Sequence, residues 1–309
     1  MSVLTRPAQP GRDAGPALRP VPWPRMIWVT WRQHRGVLVS VAAVLAAVSV
    51  FLLVAGLKVH HDDTALINCH PANSQACAAR NSSFNNADWT MGNTVLILMN
   101  LAPALLGAFT GPTVLARELE TGTFRYAWTQ GIGRVRWTIA KLTLLAVVLT
   151  ILAGAFSQLF AWFFDPFLGF EGMNVLAATV FDTRGIDFAA WTLVAFAAGA
   201  FLGMLTRRII PAMAATLGAY LGLTLLAWLV LREDYPVALD TTNGNLFSGQ
   251  NTPNSPWILK TWTVGNTDWW RFIPVSRFWP MQFIESGWLL LLAIALGAGT
   301  VWLVRRRAA

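Results

Sequence analysis

The chain has 309 residues, 55% of them hydrophobic and only 12% charged, well below the roughly 25% charged content of ordinary globular chains. That composition excludes a soluble domain, and several apolar runs reach the roughly 20 residues that cross a bilayer as helix. The formal charge of +8 comes almost wholly from arginine, since lysine occurs only at Lys58, Lys141 and Lys260; its scatter through short polar intervals argues against a nucleic-acid partner.

Residues 1–25 are rich in Pro, Arg, Ala and Gly without apolar periodicity, and read as a disordered cytosolic tail. Residues 26–309 then form a transmembrane domain. Met26–Gly36, MIWVTWRQHRG, predicts an amphipathic interfacial helix, with Ile27, Trp28 and Trp31 on one side and Arg25, Arg32 and Arg35 around the rest; indole rings and long basic chains suit the headgroup layer. Six spans follow, at about 37–57, 94–116, 138–164, 188–206, 209–231 and 286–304. The predicted fold class is therefore an all-α polytopic membrane protein with six transmembrane helices.

The loops fix the orientation. With the N-terminus inside, the inner segments hold sixteen basic residues and the outer loops seven, so the positive-inside rule puts both termini in the cytosol. The outer loops are then 58–93, 165–187 and 232–285. Cys69 and Cys77, eight apart in the first of these, predict a disulfide. Free thiols, or a weak zinc set with His60, His61 and His70, are the alternatives. The last outer loop is polar in its middle and ends in WWRFIPVSRFWPMQFIESG, which predicts short interfacial or re-entrant helices, or an aromatic belt anchoring the sixth span.

Small residues recur four apart in three spans: Ala195, Gly199 and Gly203; Ala214, Gly218 and Gly222; Ala293 and Gly297 with Ala295 and Gly299. Such stripes let helix backbones approach closely, within one chain or between two. Asn100 and Gln158 are neutral polar residues inside the second and third spans, each roughly 9 Å below the outer end at helical rise, so a hydrogen bond between them or a polar substrate path is predicted. Acidic and basic residues are absent from the predicted hydrocarbon depth, against a proton-coupled transporter.

No GxxxxGK(S/T) motif occurs, so the chain carries no Walker-type nucleotide site and active transport would need energy from another chain. No GxSxG, HExxH or paired CxxC occurs either, and no catalytic or metal residue is expected. One charged interval, Arg117–Lys141, sits between the second and third spans. Its sequence ARELETGTFRYAWTQGIGRVRWTIAKL, with the amphipathic entry and the SRFWPMQFIESG run before the last span, resembles the permease subunits of type-two ATP-binding-cassette exporters of bacteria. These belong to the drug, antibiotic and polysaccharide export class. Gly131-Ile132-Gly133 stands where the family's turn proline usually falls.

The resemblance implies a multi-pass plasma-membrane protein, with two permease subunits (a homodimer or heterodimer) working beside separate ATPase subunits that bind ATP and Mg. It implies no cofactor and no enzymatic activity in this chain. Arg117, Glu118, Glu120, Gly122, Thr123, Phe124, Arg125, Tyr126, Trp128 and Arg134 would form or flank the coupling helix that docks on the ATPase. A substrate path, for an apolar or amphiphilic compound moved outward, would run chiefly along the second and fifth spans past Asn100, Pro103, Gly107, Thr216 and Tyr220, with Gln158 of the third span facing it. The rival functions are a non-transporting membrane anchor or immunity-type protein, and a channel or secondary transporter.

Overall fold

The computed structural model describes residues 22–71, 73–121, 133–168, 173–232, 235, 238–243 and 255–307. Most of the N-terminal tail and the interval 122–132 lie outside them. Among the described residues six helical segments are long and apolar enough to cross a membrane. Composition requires this, because a helix in hydrocarbon satisfies its own backbone donors and acceptors.

The first, α1 (Trp23–Ile67), is one continuous helix of 45 residues. The sequence predicts a separate interfacial helix over Met26–Gly36 and a span from Val37, but no proline interrupts the run after Pro24, so the hydrogen-bond ladder carries through both. At about 1.5 Å per residue α1 is about 67 Å long, twice the roughly 30 Å of a hydrocarbon core. Met26, Thr30, His34 and Leu38, four apart, form its buried stripe near the start, while Ile27, Trp28 and Trp31 are exposed.

Cys69 and Cys77 are joined by a disulfide with Cα atoms 5.8 Å apart. Ser74 caps α2 (Gln75–Ser83) by accepting from the Cys77 N–H at 3.2 Å. A π-helical turn, Phe84–Asp88, then runs straight into α3 (Trp89–Thr110), so the second membrane segment starts earlier than its apolar run. After a 3-10 turn at Pro112–Val114 comes the short α4 (Ala116–Thr121), then α5 (Arg134–Phe164). The one-turn α6 (Ala178–Phe181) precedes the hairpin of α7 (Asp187–Thr206) and α8 (Ile209–Leu226). That hairpin turns at Arg207, whose φ of 55° is left-handed. The last span, α9 (Phe278–Arg307), closes the bundle.

The helix α7 is the hub, packed against α3, α5, α8 and α9. Its small residues make this possible. A Cβ built on Gly107 of α3 would lie 2.4 Å from the Ala195 backbone, and one on Gly199 of α7 would lie 2.8 Å from the Gly107 carbonyl oxygen. The two backbones are therefore in direct contact along Gly107, Gly111, Ala195 and Gly199, which is how helices associate where no hydrophobic effect acts between them. A second seam joins α1 to α5, where His60 stacks on Trp162 with centroids 4.8 Å apart and Gly56 lies under the same indole. Leu38 near the start of α1 shares a buried cluster with Leu303 and Val304 near the end of α9, so these two ends lie on one side of the bundle. Arg134, Arg207 and Arg208 lie at the span ends nearest them, which makes this the basic end of the bundle.

The segment between α8 and α9 departs from expectation. Instead of interfacial helices it forms an antiparallel sheet of β1 (Leu239–Thr241), β2 (Trp257–Val264) and β3 (Thr267–Ile273), in the order β1-β3-β2. Gly265-Asn266 links the hairpin, with Gly265 at φ +64°, and the β-branched and aromatic residues around it suit strands. Trp262 and Trp269 face each other across the pair, and Arg271 bonds Asp240 of β1 at 2.8 Å. The aromatic run is thus divided: Trp269, Trp270 and Phe272 lie in β3, while Phe278, Trp279 and Phe283 begin α9, with Trp279 and Phe283 exposed as an aromatic belt before the sixth span would have them.

Replacing Gly107 by Leu forces α3 and α7 apart and should cost at least the about 1–3 kcal/mol of overpacking. Gly218→Ala, where nothing lies within 4 Å, should stay within about 0.5 kcal/mol. Thermal unfolding of the two variants in the same detergent checks the difference.

Candidate functional site

At the basic end, Gly111 and Pro112 turn the chain out of α3 and Ala116 is buried against the bundle. The carboxylate of Glu118 pairs with the ammonium of Lys141, a fully buried side chain of α5, and that ammonium also sits 4.6 Å from the centroid of the Trp137 ring. A buried lysine is tolerable only with such partners. Glu120 accepts from the backbone N–H of Ile209 at 3.3 Å, satisfying a free donor at the positive end of α8. Both acidic residues of α4 thus hold it to spans, one to α5 and one to α8. Arg117 is exposed beside them, and Arg134 is half-buried at the start of α5. Gly122, Thr123, Phe124, Arg125, Tyr126 and Trp128 lie outside the described residues.

Along the middle of the bundle the predicted path residues separate. Asn100 donates to the carbonyl oxygens of Leu96 at 2.8 Å and Thr179 at 3.0 Å, while its own carbonyl accepts from the Tyr220 hydroxyl at 3.3 Å. Asn100 and Tyr220 therefore meet. Gln158 does not join them; it lies on the exposed face of α5. Pro103 is buried within α3, Gly107 is occupied by the contact with α7, and Thr216 is buried with its hydroxyl returned to the Ala212 carbonyl at 2.7 Å. Beside Tyr220 an apolar cavity of about 290 Å³ opens between α7, α8 and α9, lined among others by Ala198, Phe201, Ala219 and Leu296.

The opposite end holds a group of residues that the sequence left scattered through outer loops. Arg232, just after the π-helical turn Ala227–Leu231 that ends α8, is fully buried. It bonds Asp182 and both carboxylate oxygens of Glu285 on α9, the latter at 2.5 and 3.0 Å. Trp228 donates to Asp182 at 2.6 Å, and Trp191 and Tyr235 donate to Glu285, each at 3.2 Å. Gln282 clamps the turn before α7: its amide oxygen accepts from the N–H groups of Ile186 and Asp187, and its amide nitrogen donates to the Phe181 and Arg184 carbonyls. Ser286 donates to Asp187 at 2.5 Å. Burial pushes the Asp182 carboxyl up to about 6 although Arg232 pulls the other way. The only signal in the sequence was position: Asp182, Asp187, Arg232 and Glu285 each stand within a few residues of a span end, separated by up to a hundred residues.

This architecture is that of a polytopic helical membrane component whose charged residues tie span ends together. Residues 42–232 match the family model described as ABC-2 membrane transporter related, a match over more than half of the chain, and the chain belongs to that family. The match runs from within α1 to Arg232. No curated protein and no solved structure matches the chain.

Arg232→Met would leave the buried carboxyl groups of Asp182 and Glu285 without their cation and should cost about 3–5 kcal/mol. The loss is read as a lowered midpoint in thermal unfolding, with Arg271→Met, an exposed partner of Asp240, as the near-neutral comparison.

Proposed function

We propose that this chain is the membrane-spanning permease subunit of an ATP-binding-cassette exporter. In this reading it moves an apolar or amphiphilic compound outward across the bacterial plasma membrane, using ATP and Mg bound by a separate ATPase subunit. The basic end faces the cytosol, as the excess of arginine there favours. Membership of the ABC-2 family supports a permease-type component.

The observation that carries the coupling role is the double anchorage of α4, through Glu118 to Lys141 of α5 and through Glu120 to Ile209 of α8. A force on the segment that follows α4 bears directly on the inner ends of two spans. Phe124, Tyr126 and Trp128 supply apolar anchors for a groove on the ATPase, with Arg117, Arg125 and Arg134 setting its charge register. Glu118 and Glu120 hold the segment to the bundle, and Gly122 and Thr123 give it its change of direction.

A second permease copy fits the face of α8. Ala214, Gly218 and Gly222 are exposed there, and neither glycine has a neighbour within 4 Å. The exposed Leu221 and Leu225 lie on the same helix. Small residues flanked by leucines let a second backbone pack closely in lipid, and the cavity beside Tyr220 lies next to that face.

Phe124→Asp with Trp128→Asp should abolish co-purification of the ATPase encoded with this chain while the permease still inserts; retained co-purification counts against the coupling assignment. Gly218→Leu with Gly222→Leu should leave the monomer folded, since both sites are open, but reduce dimer recovered by crosslinking in native membranes at least several-fold. An unchanged dimer yield would place the contact elsewhere.

A further inference from the structure

At the end of the bundle opposite the basic end, Arg232 pairs with Asp182 and Glu285, and a third carboxyl, Asp187, is bonded to Ser286 one residue after Glu285. Asp182, Asp187, Arg232 and Glu285 are all buried, and they come from the turn before α7, the end of α8 and the start of α9. Glu285 and Asp182 are well supplied with donors from Arg232, Trp191, Tyr235 and Trp228. Asp187 is not. One of its oxygens accepts from Ser286, while Oδ2 is buried without a partner. Its own N–H and that of Ile186, the donors that a helix start offers an anion, are taken by Gln282.

The charge count is decisive. Fully ionised, the cluster carries three negative charges against one positive. The other described ionisable groups facing it are Tyr220 on α8 and Tyr235 beyond it, neither a cation. Arg184 of the same turn points its guanidinium at Asp165, 2.7 Å away, and at the Ala161 carbonyl. An uncompensated buried ion costs several kcal/mol, whereas binding a proton against the pH costs only about 1.4 kcal/mol per unit. Among the described residues no three His, Cys, Asp or Glu side chains converge to hold a metal ion.

We propose that this cluster is a proton-binding site, with the proton on the unpartnered carboxyl of Asp187, and that its occupancy ties the ends of α7, α8 and α9 together. The rise at Asp182, to about 6, gives the direction. In the closed cluster protons stay bound through a range where a solvated carboxyl, near about 4, has lost them. The tie is therefore complete at low pH and weakens as pH rises above the range of a solvated carboxyl. It requires neither a partner chain nor a transported substrate.

The test uses the full chain in phosphatidylcholine nanodiscs, with thermal unfolding followed from about pH 5 to about pH 8. The wild-type midpoint should fall by about 3 °C or more over that range. Asp187→Asn keeps the shape of the acid but cannot ionise; it should flatten the dependence and melt no lower than wild type at the alkaline end. In infrared spectra at about pH 6, above the range of exposed carboxyls, the wild type should show a protonated-carboxyl C=O band that Asp187→Asn loses. A variant that melts lower at every pH with the wild-type slope overturns the proposal, as does an unchanged band. If Asp187→Asn does not fold, the wild-type band decides: its presence and loss with rising pH support the site, and its absence overturns it.

Discussion

The bundle depends on one close contact, the crossing of α3 and α7 at Gly107, Gly111, Ala195 and Gly199. Lipid tails are as apolar as leucine, so no hydrophobic effect draws these helices together, and their association rests on dispersion across a surface that must be flat enough to touch. Glycine supplies that flatness. Because α7 also contacts α5, α8 and α9, the position set by this crossing passes to every later span. It also fixes the turn before α7, which delivers Asp182 and Asp187 to the start of α9.

Charged residues then act at the two ends, where water and headgroups make their presence affordable. At the basic end Glu118 and Glu120 fasten α4 to α5 and α8. At the other end Arg232 joins the turn before α7, the end of α8 and α9. The helix α8 is thus held at its beginning and its end and is bare along much of its middle. Electrostatic ties at the ends and small-residue contacts within the membrane divide the work by depth, following the cost of burying charge.

Much of this was legible in the chain. Apolar runs of membrane length gave the spans within a few residues wherever a charged or turn-forming segment bounded them, as at Arg207-Arg208. They failed where a helix continued past its apolar stretch: α1 reaches back to Trp23, and α2 runs through Phe84–Asp88 into α3, because polar residues at a membrane surface remain good helix formers. The sheet was missed for the opposite reason. Its tryptophans suit an aromatic belt as well as a strand, and only the turn at Gly265-Asn266 distinguished the two.

The sequence by itself determined the solvent of this protein, the number of its membrane spans and the asymmetry of its arginines, since these follow from local composition and from the need of each helix to satisfy its own backbone. The separation of Asn100 from Gln158 and its meeting with Tyr220, the pairing of Glu118 with Lys141, and the assembly of Asp182, Asp187, Arg232 and Glu285 were decided only by the tertiary structure. Each depends on the rotation of one helix against another. That rotation is set by backbone contacts such as Gly107 on Ala195, which no spacing along the chain records.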